Sequence, residues 1–340
     1  MKNLGAFGAQ ELITHAPDGE VTKKIGSSFF RGEHCNFNPY LADHKAPDFI
    51  ERFLLRGWMP EHRSIDRSTR LTAFGSCFAT NITRHLSEIG YNVAKDRDPG
   101  IYISSMGEGL VNVHSLLGQF EWALEGVDPP QGLWHGYKAE EYGCNDSIRE
   151  QTRRVMLDTD FFVVTLGLSE VWYDEQTGGV FWRAVPQQHY DPARHRFRVC
   201  SMMETKAALQ RIHDIVRRRI PNAKLLFTLS PVPLAATFRP VSCITANSVS
   251  KAILRAALDE MLRDAGDHLN QDLYYWPSYE IANDLFLSRF GPDGRHPHKG
   301  IIDFIMKLFE AVHCKTEVGL EDLNRLYQEA RAANLRTAAV

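Results

Sequence analysis

No apolar stretch of the 340-residue chain approaches the roughly 20 residues that a membrane helix needs. The opening MKNLGAFGAQELITHAPDGE lacks the apolar core of a secretory leader. The expectation is therefore a cytoplasmic protein without membrane insertion. An excess of one charge is missing too: 39 Lys+Arg against 42 Asp+Glu leave a formal net charge of −3. Nucleic-acid binding needs a basic surface, so a nucleic-acid partner is not expected. The short clusters Arg153-Arg154 and Arg217–Arg219 read as solvated helix faces. Cysteine is sparse: Cys35, Cys77, Cys144, Cys200, Cys243 and Cys314 are scattered, with no CxxC pair. That pattern suggests neither a disulfide framework nor a zinc ribbon. HExxH and a P-loop are absent, the 14 histidines are dispersed, and Gly107-Glu108-Gly109 is too short to count as a nucleotide loop. No metal and no tightly bound cofactor are expected.

What is present alternates between strand and helix patterns. The first 65 residues, rich in Gly, Pro, His and aromatics, read as irregular structure wrapping the body, with one short helix near Pro47–Arg56. A main domain is expected over residues 66–315, followed by a helical tail over 316–340. Leu71–Phe74 is a short apolar run entering Gly-Ser-Cys, and Phe78–Ile89 has helical spacing up to Gly90. Tyr91–Ala94 suggests a strand and Gly109–Leu124 a helix. Phe161–Leu166 and Lys224–Leu229 are continuous apolar runs suited to central parallel strands. Trp172–Arg183, around Thr177-Gly178-Gly179, suggests a hairpin insertion. Ser201 and Glu204 form a capping box for a helix to Arg219. Helices over Ser248–Ala265, Gly300–Val312 and Leu320–Asn334 and a strand at Leu273–Trp276 complete the pattern. Such alternation implies βαβ units, a parallel sheet and ligands at the carboxyl ends of its strands.

Four polar motifs fall at those ends. In Ala73-Phe74-Gly75-Ser76-Cys77-Phe78-Ala79 a strand meets a helix through two nucleophile-type residues. A thiol in the first turn of a helix feels the positive end of its dipole, which favours the thiolate. The plain alternative is a small buried hydrophobe, the reading given to the other five cysteines. In Pro292-Asp293-Gly294-Arg295-His296-Pro297-His298 a carboxylate precedes an imidazole by three residues and can orient it. A polar surface loop is the alternative, and His298 is a rival to His296. Thr165-Leu166-Gly167-Leu168-Ser169 offers a Gly amide and a short polar side chain as oxyanion donors, or is an ordinary strand exit. Ser230-Pro231-Val232-Pro233-Leu234 reads as shape.

Taken in order, these pieces resemble one family. Gly75-Ser76-Cys77-Phe78-Ala79 spells GSCFA, and "MGEGLVNVHSLLGQFEWAL", "VVTLGLSEVW", "LSPVPLAATF", "ANSVSKAILRAA", "YYWPSYEI" and "DGRHP" resemble later blocks of the GSCFA-domain family. The resemblance spans roughly residues 65–310. It implies a flavodoxin-like three-layer α/β/α fold of the SGNH-hydrolase type and an esterase or acyltransferase activity. It also implies a nucleophile at Cys77, with Ser76 as the alternative if the register slips by one. Asp293 and His296 match the family's DxxH block. Oxyanion donors are implied among Gly107 or Gly109, Gly167, and Ser169, where relatives carry Asn; Asn112 could supply the missing amide. The mechanism so implied is acyl transfer through a covalent acyl-enzyme, with acyl-CoA as a candidate co-substrate and a small-molecule or glycan acyl substrate. A Ser76 esterase and a non-catalytic carbohydrate-binding protein are the alternatives. Trp122, Trp134, Trp172, Trp182 and Trp276 are candidates for a sugar or acyl pocket. Nothing in the sequence points to an oligomeric state.

Overall fold

The computed structural model describes residues 14–15, 21–23, 36–97, 100–105, 109–130, 144–319 and 322–338. In chain order the principal elements begin with β1 (Leu71–Gly75), α1 (Cys77–Glu88), α2 (Val113–Phe120) and α3 (Asp146–Leu157). Next come β2 (Phe161–Leu166), β3 (Glu170–Asp174), β4 (His195–Val199) and α4 (Met202–Arg219). The chain continues through β5 (Lys224–Leu229), α5 (Cys243–Asp264), β6 (Leu273–Trp276), α6 (Ser278–Asp284), α7 (Lys299–His313) and α8 (Asp322–Ala338).

A four-stranded, wholly parallel sheet of order β1-β2-β5-β6 forms the centre. Its strands are buried on both faces, which is why they read as unbroken apolar runs rather than alternating ones. Side chains of successive strand residues diverge to opposite faces. Phe162, Val164 and Leu166 point into a core built with α2, α4 and α5. Phe161 and Val163 point into a second core with α1, α7 and α8. The result is the parallel sheet expected from the alternation, within the α/β/α sandwich that the family resemblance implies. The capping box is present, with Ser201 and Glu204 satisfying each other's main-chain amides at the start of α4.

Several local expectations change. Tyr91–Ala94 is not a strand. Val93 makes a single bridge to Leu71, and the chain then turns into a short helix, Ala94–Arg97. α2 begins only at Val113, because Asn112 caps it, and its end widens into a π-turn over Glu121–Glu125. Near the N-terminal side the expected short helix is one π-turn, Ile50–Leu54. The turn at Gly178 (φ +72°) exists, and Tyr173 bridges Val180 across it. Asp174 N–H donates to the Gly179 carbonyl and Phe181 N–H to the Trp172 carbonyl (both 2.9 Å), so the expected hairpin forms, and β3 pairs along its other edge with β4. Trp172, Phe197 and Phe238 pack edge to face there and hold that pairing. α5 starts at Cys243, earlier than expected, with Ser242 as its cap.

Residues 36–65 pack on the α7–α8 layer. Phe49 stacks on Tyr327, Ile50 N–H donates to Asn324 Oδ1 (2.8 Å), and Ile65 bridges Cys314. Most of the first 35 residues lie outside the described ones. Among the described residues no helix is long and apolar enough to cross a membrane.

His313, at the end of α7, is fully buried against Trp276, Tyr274, Phe161 and Phe309. Burial pushes its pKa down to about 3. An unfolded chain titrates this imidazole near 6.5, so between those values the unfolded state binds the extra proton. The stability it permits is complete above pH 6.5 and is lost as pH falls toward 3, by roughly 1.4 kcal/mol per pH unit. His313→Leu is expected to flatten this acid limb. Urea midpoints at pH 7 and pH 5 should fall less in the variant than in the parent, and equal falls would dismiss the assignment.

Candidate active site

The site starts from a steric constraint at the end of β1. Gly75 has φ +130°, and a Cβ there would stand 2.2 Å from the Thr165 carbonyl oxygen of β2. Only glycine accepts both the dihedral and the approach. Ser76 N–H donates to that same carbonyl at 3.2 Å, so β1 turns sharply while still tied to β2. The next residue, Cys77, opens α1. Ser76 is its N-cap: the Oγ accepts from Phe78 N–H at 3.3 Å and is almost wholly buried. Of the two candidate nucleophiles, Cys77 lines the groove beside His296, and Ser76 does not.

The partner comes from the loop before α7. Phe290 and Pro297 bridge at its base, and Gly294 (φ +68°) turns its tip. Asp293 Oδ1 accepts from the main-chain N–H of Arg295 and of His296, both at 3.0 Å. Its Oδ2 meets His296 Nδ1 in a short hydrogen bond. The His296 bond and these two amides hold the Asp293 carboxyl well below the usual carboxylate range. An ionised carboxylate only accepts, so Nδ1 carries the proton and the lone pair on Nε2 is free. That Nε2 faces Cys77 Sγ at 4.0 Å. His298, the rival imidazole, is bound to Ser288 Oγ instead (3.1 Å). Arg295 reaches across to the Pro233 carbonyl (3.1 Å), so the Ser230–Leu234 loop shapes the site by holding the histidine loop.

The groove holds about 540 Å³ and runs from Cys77 and His296 between α1 and α7. Phe78, Val232, Ile302 and Met306 supply apolar wall, and Arg84 and Lys299 supply charge. Trp122, Trp182 and Trp276 are in the core and Trp172 is in the β3–β4 cluster, so these four are not its walls. Trp134 lies outside the described residues.

The expected oxyanion donors converge only partly. The loop of Gly109 and the exit of β2 do meet, because Gly167 and Leu168 N–H both donate to the Val111 carbonyl at 3.0 Å. That bond occupies the Gly167 amide. Asn112 spends its side-chain amide on the Phe181 and Trp182 carbonyls (3.1 and 3.0 Å). Ser169 is buried; its N–H goes to Ser250 Oγ (2.9 Å), and its Oγ has no hydrogen-bond partner among the described residues. Gly109 is buried, and Gly107 lies outside the described residues. Of the described ones, Gly109, Asn112, Gly167 and Ser169, none lines the groove. At the start of α1 the Phe78 and Ala79 N–H are taken as well, by Ser76 Oγ (3.3 Å) and the Ser76 carbonyl (2.9 Å), so what the helix offers there is the positive end of its dipole.

Sequence reading gave no role to Lys251, on the buried face of α5. It is 2% exposed, and its Nζ donates to the carbonyls of Gly167 (2.7 Å) and Ser230 (2.8 Å), just past β2 and β5. Burial pushes its pKa down to about 7, Cys77 acting against that shift and Arg295 with it. Its only sequence signal is one lysine in the stripe Ala246, Ser250, Leu254, Ala257, Leu258.

The other cysteines divide. Cys200 and Cys314 are buried, and burial lifts the Cys200 thiol to about 12. Cys144 is exposed and Cys243 half-buried, against the expectation of plain burial, and Cys35 lies outside the described residues. The fold also gathers two sets with ligand-type atoms that spacing did not reveal, His114/Cys200/Glu204 and His213/His268/Asp272. In each an arginine already holds the carboxylate: Arg198 on Glu204 and Arg217 on Asp272 (both 2.7 Å).

A parallel-sheet α/β/α protein with a Cys–His–Asp line at its strand ends is the class these features define. Within that class the chain belongs to the GSCFA family, whose model matches residues 70–309. No curated protein matches the sequence. Among solved structures it is similar to an acetyl xylan esterase from the rumen bacterium Butyrivibrio proteoclasticus, at 13% identity over 72% of this chain and 64% of that one (TM-score 0.33). A family two carbohydrate esterase from Clostridium thermocellum in complex with cellohexaose is similar at 9% identity over 73% and 65% (TM-score 0.35). A Clostridium thermocellum family 3 carbohydrate esterase is similar at 11% over 77% and 98% (TM-score 0.32). The chain spans just under two thirds of the first two. These likenesses are too distant to carry a substrate across.

Gly75→Ala is expected to lower stability by about 2–4 kcal/mol, through backbone strain and overpacking against Thr165. It should also slow alkylation of Cys77. Denaturant unfolding with peptide-resolved alkylation measures both, and an unaffected Cys77 would show that the turn does not place it.

Proposed function

We propose that this protein is an acyl-transfer enzyme, an esterase or O-acyltransferase working through a thioester on Cys77. The observation that carries this reading is the line from Asp293 Oδ2 through His296 Nδ1 and Nε2 to Cys77 Sγ, opening into a groove. A thiol, an imidazole with its lone pair aimed at it and a carboxylate fixing the tautomer are the parts of nucleophilic catalysis.

In the first half-reaction the Cys77 proton passes to His296 Nε2 and Sγ attacks the acyl carbonyl carbon. The C–S bond forms as the bond to the leaving oxygen or sulfur breaks, and that atom takes the proton back from Nε2. In the second half an acceptor hydroxyl, from water or a sugar, gives its proton to Nε2 while its oxygen attacks the thioester. The C–S bond breaks and Sγ regains the proton. Charge on the carbonyl oxygen develops beside the first turn of α1, whose dipole opposes it. A thiol nucleophile favours a thioester donor such as an acyl-CoA, because thioester exchange is nearly isoenergetic. A glycan hydroxyl is the proposed acceptor alongside water, since the His296 and Asp293 side chains are about half exposed (54% and 49%) and admit one.

Incubation with acyl-CoAs and aryl esters, read by intact mass and by hydrolysis and transfer scored separately, tests this. Cys77→Ala should abolish the acyl adduct, and His296→Ala or Asp293→Asn should slow turnover by about 10²–10⁴-fold. Ser76→Ala should keep the adduct and lose only about 1 kcal/mol of stability as a lost cap. An adduct persisting in Cys77→Ala would transfer the role to Ser76.

A further inference from the structure

Lys251 is a buried ammonium with no ordinary reason to be where it is. Taking a charge out of water costs several kcal/mol unless it is paired. Among the described residues no carboxylate pairs with it; two of its three protons go to the neutral carbonyls of Gly167 and Ser230. Those carbonyls belong to the residues just after β2 and β5; β2 is the neighbour of β1, the strand that launches Cys77, and β5 is the next strand in. A negative charge on Cys77 raises the Lys251 pKa, and the Arg295 charge lowers it. The neighbouring Ser250 is committed in the same way, its Oγ accepting from Ser169 N–H. One turn of α5 thus ties the exits of β2 and β5 together and buries a lysine between them.

We propose that Lys251 is the buried counter-charge of Cys77: it raises the thiolate fraction of the resting site from beneath, while His296 acts from the open side. Lys251 is thereby a positioning residue that works through the sulfur. This rests on reading Cys77 as the nucleophile. The other charged groups around the thiol are shared between the walls. On α1 stand Arg84, His85 and Glu88; on α7, Lys299 and Asp303; in the histidine loop, His296, Asp293 and Arg295. Of these Lys299 is paired with Asp303 (2.6 Å), His85 with Glu310 (3.1 Å) and Asp293 with His296. Lys251 differs from all of them in being shut away from water, where a unit charge acts at a far lower dielectric than at the surface.

The test is the pH profile of Cys77 carboxamidomethylation by iodoacetamide, followed on the Cys77 peptide. Lys251→Gln keeps an N–H donor for the carbonyls and removes the charge. Its profile is expected to move up by a pH unit or more, with about tenfold slower alkylation at pH 7. A profile superimposed on that of the parent would overturn the proposal. The unmutated protein supplies a second reading. With 15N-labelled lysine, the Lys251 Nζ midpoint, assigned by its loss in Lys251→Gln, should shift down by half a unit or more once Cys77 is capped, and an unchanged midpoint would also overturn it. Neither measurement needs turnover. If charge coupling is found and no acyl adduct forms, the acyl-transfer reading fails alone; if adducts form without coupling, only the role of Lys251 fails.

Discussion

The site hangs on one contact: the Gly75 backbone lying against the Thr165 carbonyl. β1 and β2 are in parallel register up to that pair, Gly75 opposite Thr165, and register in a sheet buried on both faces is strongly specified. The turn that follows is therefore set by the core and not by the loop. Ser76 is spent as the cap of α1, so the first side chain able to leave the sheet edge is Cys77. Everything else approaches that sulfur. The histidine loop does so through Arg295 on the Pro233 carbonyl, and α5 does so through Ser250 and Lys251.

The two sides of the nucleophile differ in dielectric. Above it the Asp293–His296 pair is about half exposed, so its strength comes from geometry, with one carboxylate accepting an imidazole and two amides. On the other side, in the proposed arrangement, lies a layer of buried strand exits in which Lys251 is 2% exposed. A Cys77 thiolate so placed meets solvent and substrate on one face and fixed charge on the other. Preorganised charge in a water-excluded layer needs no reorganisation when the reaction begins.

The central strands were legible in the sequence because burial on both faces leaves uninterrupted apolar runs. Phe161–Leu166, Lys224–Leu229 and Leu273–Trp276 match their observed bounds. The capping box at Ser201 and the strand–Gly–helix turn at Gly75 were legible for the same local reason. Asp293 and His296 were legible because both sit in one short loop, where their spacing fixes their geometry. Long-range commitments were not. Asn112 and Gly167 have the chemistry of oxyanion donors, but tertiary partners, the Phe181, Trp182 and Val111 carbonyls, already hold their N–H groups. Likewise the hairpin after β3 was legible, but its longer pairing with β4, which lies beyond the nearest turn, was not. Lys251 stayed hidden because a lysine in a helix reads as surface until the carbonyls it serves are seen.

The proposed nucleophile and base, Cys77 and His296, are 219 residues apart in sequence. During synthesis the thiol leaves the ribosome with its strand and helix, well before the imidazole and the helix that anchors it exist. On the proposed reading, competence therefore waits until α7 closes the second core against α1. A chain truncated before residue 296 would keep much of the sheet yet have no base, so closure of that core is the gate on the proposed reaction.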